Sequence, residues 1–352
     1  TTGGGQAVVL PALQDAIDAC PATGCYIRLL GGTCDNIVVT DKDVYVAAEA
    51  GAAIDPCVAG CSGVDGVSVT EGAGAAEAQL ALASLSSVTP LAVSGGSGSF
   101  GDGVYCSSAG EPAELWLYSV SLQSSGGAGV SASACTLTLD GSTISGSGGA
   151  GVSASACTLT LDGSTISGSG GAGVSAESGS NVTIDRTRVG ANDGTGISVT
   201  SSTFAITNCV VSGNGSDLGS SVGAGVRINN SPGTSGDFRH NTVAGNGSLD
   251  DNEVGIRCVD APYDLVNSIM WSNAGAEVSG CGLLTGSHVQ GDAAAQQCGS
   301  GATPSFTADY HLSPGSPCID DAPGCASLTA DIDGDPRPSG PSCDIGADEV
   351  VP

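Results

Sequence analysis

The sequence predicts an all-β solenoid, a stack of turns that each carry three short strands. Three observations predict it. The segment "GGAGVSASACTLTLDGSTISGS" occupies Gly126–Ser147 and recurs letter for letter at Gly148–Ser169. A glycine followed by Val or Ile opens a strand-like run at Gly103, Gly129, Gly151, Gly173, Gly196, Gly225 and Gly255. Glycine is abundant, at 57 residues, while aromatic residues make up only 3% of the chain. A close-packed globular core has no space for twenty-two extra residues. A solenoid repeat touches only its neighbours, so one more copy simply lengthens the stack.

The copied unit is strand-like throughout. Val130, Ala132 and Ala134 alternate with Ser131 and Ser133, Leu137 and Leu139 alternate with Thr136 and Thr138, and Ile144 lies in a third short run. That is the period of a pleated strand. The Gly-rich stretches Gly126–Gly129 and Gly146–Gly149, with Asp140-Gly141 between them, are the turns. Ser, Thr and Val favour strands over helices, and glycine does not recur at every third position as collagen requires.

Upstream, Leu13, Ala16, Ile17 and Cys20 share one face of a short amphipathic helix. Strand-like runs follow at Tyr26–Leu30, Ile37–Val39 and Val44–Ala47. In order, "AIDAC", "YIRLLGGTCDNIVV" and "DKDVYVAAEAGAAID" resemble the opening turns of right-handed parallel β-helix proteins of the pectin-lyase-like superfamily. From Ser313, "SPCID", "DIDGDPRP" and "CDIGADE" resemble a C-terminal segment recurrent in secreted bacterial β-helix proteins. The resemblance implies a right-handed parallel β-helix with turns of about 22 residues and a short N-terminal capping helix. Such a cap covers the unpaired backbone of an open end. The expected organisation is a cap and first turns at 1–57, irregular small-residue-rich turns at 58–102, regular turns with corner loops at 103–312 and a C-terminal capping segment at 313–352.

The charge balance narrows the partners. With 36 acidic against 8 basic residues, the formal net charge is −28. Nucleic acid is excluded, because phosphate contacts need Lys and Arg. An acidic surface suits an extracellular protein and suits Ca²⁺, a hard cation that prefers carboxylate oxygens. No hydrophobic run is long enough for a membrane span, and Thr1 reads as a mature N-terminus.

Fifteen cysteines point to an oxidising compartment. Cys20/Cys25, Cys57/Cys61 and Cys318/Cys325 are close enough in sequence to be disulfide candidates. Cys135 and Cys157 are equivalent positions of the two copies. In register their Cα atoms lie about 4.8 Å apart, a distance that a disulfide accepts; the alternative is a ladder of free thiols.

Asn208, Asn241 and Asn267 precede short apolar runs and are candidates for an asparagine ladder at the turns, with Asn214, Asn246 and Asn273 following them. Asp331, Asp333 and Asp335 cluster carboxylates in a D-x-D-G-D turn, a candidate calcium site that departs from the EF-hand pattern. Motifs of pectate lyases, polygalacturonases and pectinesterases are missing, and Arg227–Asn229 is the nearest echo, so no catalytic residue is assigned. The best remaining cluster is Asp185, Arg186, Arg188, Asp237, Arg239 and His240, against the alternative of surface ion pairs. The expectation is an extracellular structural β-helix, either a self-assembling fibre or a cell-surface stalk or adhesin, whose partner is itself or an extracellular glycan. The alternatives are a polysaccharide-active enzyme or carbohydrate-binding module, and a calcium-bound coat or matrix component.

Overall fold

The computed structural model describes residues 13–351 apart from 22–23, 31, 35–36, 55–64, 72–77, 87–88, 96–100, 217–222, 248–253, 293–294, 296–297, 301 and 326. Among the described residues the strands fall into three parallel sheets. Sheet 1 has ten strands, from Cys25–Leu29 to Leu265–Val266. Sheet 2 has eleven, from Gly32–Cys34 to His288–Val289, and sheet 3 has ten, from Ile37–Thr40 to Ala276–Ser279. Each turn visits sheets 1, 2 and 3 in order, so strands adjacent in a sheet are one full turn apart in the chain. This is a right-handed parallel β-helix, roughly 50 Å long from the strand count and a spacing of about 4.8 Å.

The two copies stack residue on residue. Val130 pairs with Val152, Leu137 with Leu159 and Ile144 with Ile166. The inward side chains Val130, Ala132, Leu137, Leu139 and Ile144 are at most 4% exposed, and each large aliphatic among them stabilises by about 1.5–3 kcal/mol. The glycine before the sheet 3 strand of each copied turn has a steric cause. A Cβ on Gly129 would sit 2.4 Å from Ile144 Cγ2 and 2.6 Å from the Gly151 carbonyl oxygen, so only glycine fits. Residues in the range 58–102 also supply strands to all three sheets, at Val67–Glu71, Gln79–Ser84 and Leu91–Ser94.

At the N-terminal end, helix α1 (Leu13–Asp18) buries Leu13 and Ile17. The Gln14 amide accepts from Val38 N–H at 2.7 Å and donates to the Val38 carbonyl at 3.0 Å. One side chain thus supplies what a further strand would supply to that edge.

Five disulfides form among the described residues, which places the chain in an oxidising, extracytoplasmic compartment. Cys20 is bridged to Cys25. Cys318 and Cys325 do not pair with each other; their partners are Cys298 and Cys343. Cys57 and Cys61 lie outside the described residues. Cys135 does stack on Cys157, but its disulfide goes to Cys106, on the sheet 3 strand Val104–Ser108 of the turn before. The reason lies at the corner, where the Cys157 sulfur accepts the Cys135 N–H at 3.3 Å and is held in a polar stack that continues through Ser180, Ser202 and Asn230.

The expected asparagine ladder is also displaced. Asn208 and Asn267 occupy the left-handed residue of the corner from sheet 1 to sheet 2, with φ of 50° and 49°. Asn241 is one position further on, below the Cys209 N–H, which donates to it at 2.9 Å. A one-residue offset at a corner separates side chains that face different sides. The ladder that forms is Asn192, Asn214, Asn246 and Asn273, at the corner from sheet 2 to sheet 3, with amide-to-amide bonds of 2.8–2.9 Å.

Residues 302–350 leave the stack and pack along its side. Ile332 and Ala347 bury against Val210, and Leu312, Ala322 and Ile345 pack with Ile269. Arg337, fully buried, joins Glu349 at 3.0 Å, the carbonyls of Asp344 and Gly346, and His240 Nδ1 at 3.2 Å.

Candidate functional site

Where this segment meets the corner of sheets 1 and 2, polar groups converge on a cleft. Its inner wall follows from the repeat. Asp140 and Asp162 are the same residue of the two copies, and Asp185 continues their register. Three carboxylates therefore stand in a row about 4.8 Å apart, beside a left-handed corner that turns Arg186 (φ 47°) back over them. Arg186 binds both oxygens of Asp162, with Nε at 2.9 Å, and lies 3.5 Å from Asp185 Oδ2. The hydrogen bond to Asp162 raises the Arg186 pKa further. Thr207 and Asn208 donate to Asp185 at 2.6 and 2.9 Å and fix its rotamer.

The outer wall comes from the C-terminal segment. Arg188 reaches the Asp309 carbonyl at 3.1 Å, His311 Nε2 at 2.7 Å and Asp333 at 3.4 Å. His311 holds Asp309 through Nδ1 at 3.0 Å and Asp333 through Nε2 at 2.6 Å. Burial opposes the charged imidazole, but the bond to Asp309 and the charge of Asp333 outweigh it and raise its pKa. Asp309 is held down at about 2 by its bonds from Thr307 and His311. Between the walls lies a cavity of about 320 Å³ lined by Asp140, Ser164, Thr165, Arg186, Arg188 and Asp333.

The sequence cluster splits on this geometry. Asp185, Arg186 and Arg188 line or flank the cleft. Arg239 pairs with its neighbour Asp237 at 2.5 Å, and Arg239 is two strands from Asp185, with Thr207 between. His240 is buried under the C-terminal segment, and burial together with the Arg337 charge lowers its pKa to about 3. It is a neutral packing group. Asp140, Asp162 and His311 were not singled out by sequence reasoning; aligning the repeats would have exposed the first two as a row, while His311 carries no local signal.

The calcium candidates do not converge on one point. Asp331 is fully buried and its oxygens accept the N–H groups of Asp333, Asp335 and Glu349 at 2.8–2.9 Å, which closes the turn from within. Asp333 turns instead to His311 and Arg188. Among the described residues, His311, Asp333 and Asp348 are the group whose ligand atoms approach one another, within 4.8 Å. Arg188 lies against two of them.

A parallel β-helix with a polar cleft on its flank defines the class. Residues 102–283 match the family model "Right handed beta helix region", just over half of the chain, and the protein belongs to that family. No curated protein matches the sequence. Among solved structures, similar chains include pectate lyase Pel9A, at 13% identity and a TM-score of 0.49 over 96% of this chain and 90% of that one. A double mutant of the periplasmic alginate epimerase AlgG shares 12% identity, with a TM-score of 0.41 over 74% of this chain and 69% of its own. The A-module of an Azotobacter vinelandii mannuronan C-5 epimerase shares 13%, with a TM-score of 0.22 over 71% of this chain and 87% of its own.

Proposed function

We propose that the protein is an extracellular, secreted or surface-held β-helix that binds glycans in the cleft between Arg186 and Arg188. One observation carries this reading: Asp140, Asp333 and two guanidinium groups line a solvent-open cavity of about 320 Å³, and Asp162, Asp185 and His311 hold Arg186 and Asp333 in place there. Such groups suit sugars, whose neighbouring hydroxyls donate to carboxylates and accept from guanidinium pairs. The carboxylate row repeats at the strand spacing, close to the length of one pyranose residue. Binding is favoured over turnover because both His311 nitrogens are already engaged by carboxylates.

Labelled protein on a glycan array, with and without chelator, tests the proposal. Binding that weakens at least tenfold in Arg186→Ala supports it. No binding to any neutral or acidic glycan overturns it. Chelator-sensitive binding would bring in the calcium-bound matrix reading, and ordered filaments in negative stain would move the function to self-assembly.

A further inference from the structure

The first turns of sheet 1 carry a second surface that the cleft does not use. The chain has twelve aromatic residues, and four of them, Tyr26, Tyr45, Trp116 and Tyr118, occupy outward positions on this one face. Tyr26, Tyr45, Ala81 and Trp116 are successive register partners, and Tyr118 lies two residues beyond Trp116 on the same strand. Tyr26 is 86% exposed and Tyr118 39%. At the position of Trp116 the following turns carry Thr138, Thr160 and Thr183. A hydroxyl is therefore what the fold itself accepts there.

The rings are ordered by their neighbours. Tyr26 stacks on Tyr45 with centroids 4.9 Å apart and planes 20° apart. The Tyr45 hydroxyl is 3.3 Å from Gln79 Oε1. Small residues separate the rings: Ala81 stands between Tyr45 and Trp116, and Ala47 and Ala83 precede Tyr118 in its row. Tyr45 and Trp116 are thus two strand spacings apart, about 9.6 Å, over a floor of one methyl group.

The charges beside the rings are mainly carboxylates. Asp43 and Glu114 flank Tyr45 and Trp116 on their own strands, Asp140 is the register partner of Tyr118, and Arg28, two residues beyond Tyr26, is tied to Glu49. That setting repels an acidic chain and accepts hydroxyl donors. The face is also continuous with the cleft, because the row of Tyr118 runs on through Asp140, Asp162 and Asp185.

We propose that this face is a stacking platform for a neutral pyranose polysaccharide, which lies along the solenoid axis over Tyr26, Tyr45 and Trp116 and is led by Tyr118 towards the cleft. The C–H faces of the sugar rings cover the aromatic faces, which offsets the exposure of apolar surface, while Asp43, Glu114 and Asp140 accept from the hydroxyls. This inference rests on the reading of the protein as a glycan binder, but not on the cleft being the site.

The test is native affinity electrophoresis of the full chain in gels containing hydroxyethylcellulose, galactomannan, arabinoxylan or dextran, with polygalacturonate as the acidic counterpart. The expected result is retardation by at least one neutral polymer, with a dissociation constant raised at least tenfold in both Tyr26→Ala and Trp116→Ala. Tyr26 is exposed enough that its variant keeps the fold, and an unchanged melting temperature confirms this for both. Three results overturn the platform: no retardation by any neutral polymer, equal retardation by polygalacturonate, or binding lost in Arg186→Ala but unchanged in Tyr26→Ala and Trp116→Ala. The last leaves the cleft standing. The converse, loss in the aromatic variants alone, supports the platform and removes the cleft as the main site.

Discussion

The corner between sheets 2 and 3 is built in two chemistries along one molecule. In the earlier turns it holds Ser125, Ser147 and Ser169, all buried, and the hydroxyls of Ser125 and Ser169 have no hydrogen-bond partner. In the later turns the same position holds Asn192, Asn214, Asn246 and Asn273. Each of these oxygens accepts the backbone N–H of the corner residue one turn earlier, at 3.0–3.2 Å. Each of the first three amides donates to the next asparagine, and the stack ends on Glu277, whose carboxylate accepts the backbone N–H and one amide N–H of Asn273. At this corner the hydroxyls of Ser125 and Ser169 make no link to a neighbouring turn, whereas an asparagine amide reaches in both directions. At this corner the copied turns therefore depend on apolar stacking and the backbone ladder, and their side-chain links lie elsewhere, where the N–H groups of Ser142 and Cys135 donate to Ser164 Oγ and Cys157 Sγ, the same residues of the next copy. The later turns add the asparagine links, and the cleft spans both regions, from Asp140 of the first copy to Arg186 and Arg188 beyond the second.

The largest expected effect breaks the later half from outside. Arg337→Met removes the guanidinium that compensates Glu349, itself 2% exposed, and a buried charge stripped of its partner costs about 3–5 kcal/mol. Limited proteolysis, followed by reduction of the Cys298–Cys318 bridge that tethers the segment, should then release 302–350 while hydrogen exchange in the copied turns stays slow. Loss of protection in both regions together would show that the two halves unfold as one unit and erase the distinction.

The same clamp has a pH signature. Burial raises the Asp344 pKa to about 6, although its oxygens accept the N–H groups of Val350 and Asp320. An unfolded aspartate titrates near 3.9, so the folded state binds this proton more tightly. Asp344 consequently costs stability above pH 6, and that cost disappears as the pH falls from 6 towards 4. Relative to Asp344→Asn, the wild type should gain up to about 3 kcal/mol between pH 7 and pH 4, read from urea unfolding at each pH. A flat difference would mean that Asp344 is not charged against its surroundings.

Within the corner, Asn214→Ala removes an amide that bonds Val189 O at 3.0 Å and Asn246 at 2.9 Å, and it strands the Asn192 amide donor. Leaving buried polar groups unpaired costs about 1–3 kcal/mol. Ser169→Ala deletes a hydroxyl with no partner, so its effect should be within about 0.5 kcal/mol of zero or stabilising. Equal losses for the two variants would mean that the serine corner is bonded after all.

How much of this was legible in the sequence follows the same division. The copied turns announced their strands, their corners and their register, because repetition writes the stack directly into the letters. The individual links were less legible. Asn208, Asn241 and Asn267 share a local context, yet Asn241 sits one position further round the corner than the other two, and a left-handed residue sends neighbouring side chains to different sides. Cys135 has a ladder partner and a core partner at similar reach, and sequence spacing cannot rank them. The cleft needed His311 and Asp333 to fold back more than 120 residues onto Arg188, a contact with no local periodicity to reveal it.

A modest gain in stability sharpens the comparison by converting one chemistry into the other. Ser169 already donates its N–H to Asn192 Oδ1 at 3.0 Å, so its backbone is placed as in the ladder. An asparagine at 169 would direct its amide to Asn192 Oδ1, as Asn192 does to Asn214, and its oxygen would lie beneath the corner of the preceding turn. Space for the amide depends on the glycine opposite. Gly173 and Gly196 leave room for the amides of Asn192 and Asn214, whose nitrogens lie 2.7 Å from where a Cβ would stand, and Gly151 faces Ser169 in the same way. Ser169→Asn should therefore extend the ladder by one rung, satisfy a position that now holds an unpaired hydroxyl, and stabilise by about 1 kcal/mol. Urea unfolding measures it. If Ser169→Asn destabilises on its own, the serine corner is not an unfinished asparagine ladder but a separate solution, fitted to the narrower Ser and Gly packing of the copied turns.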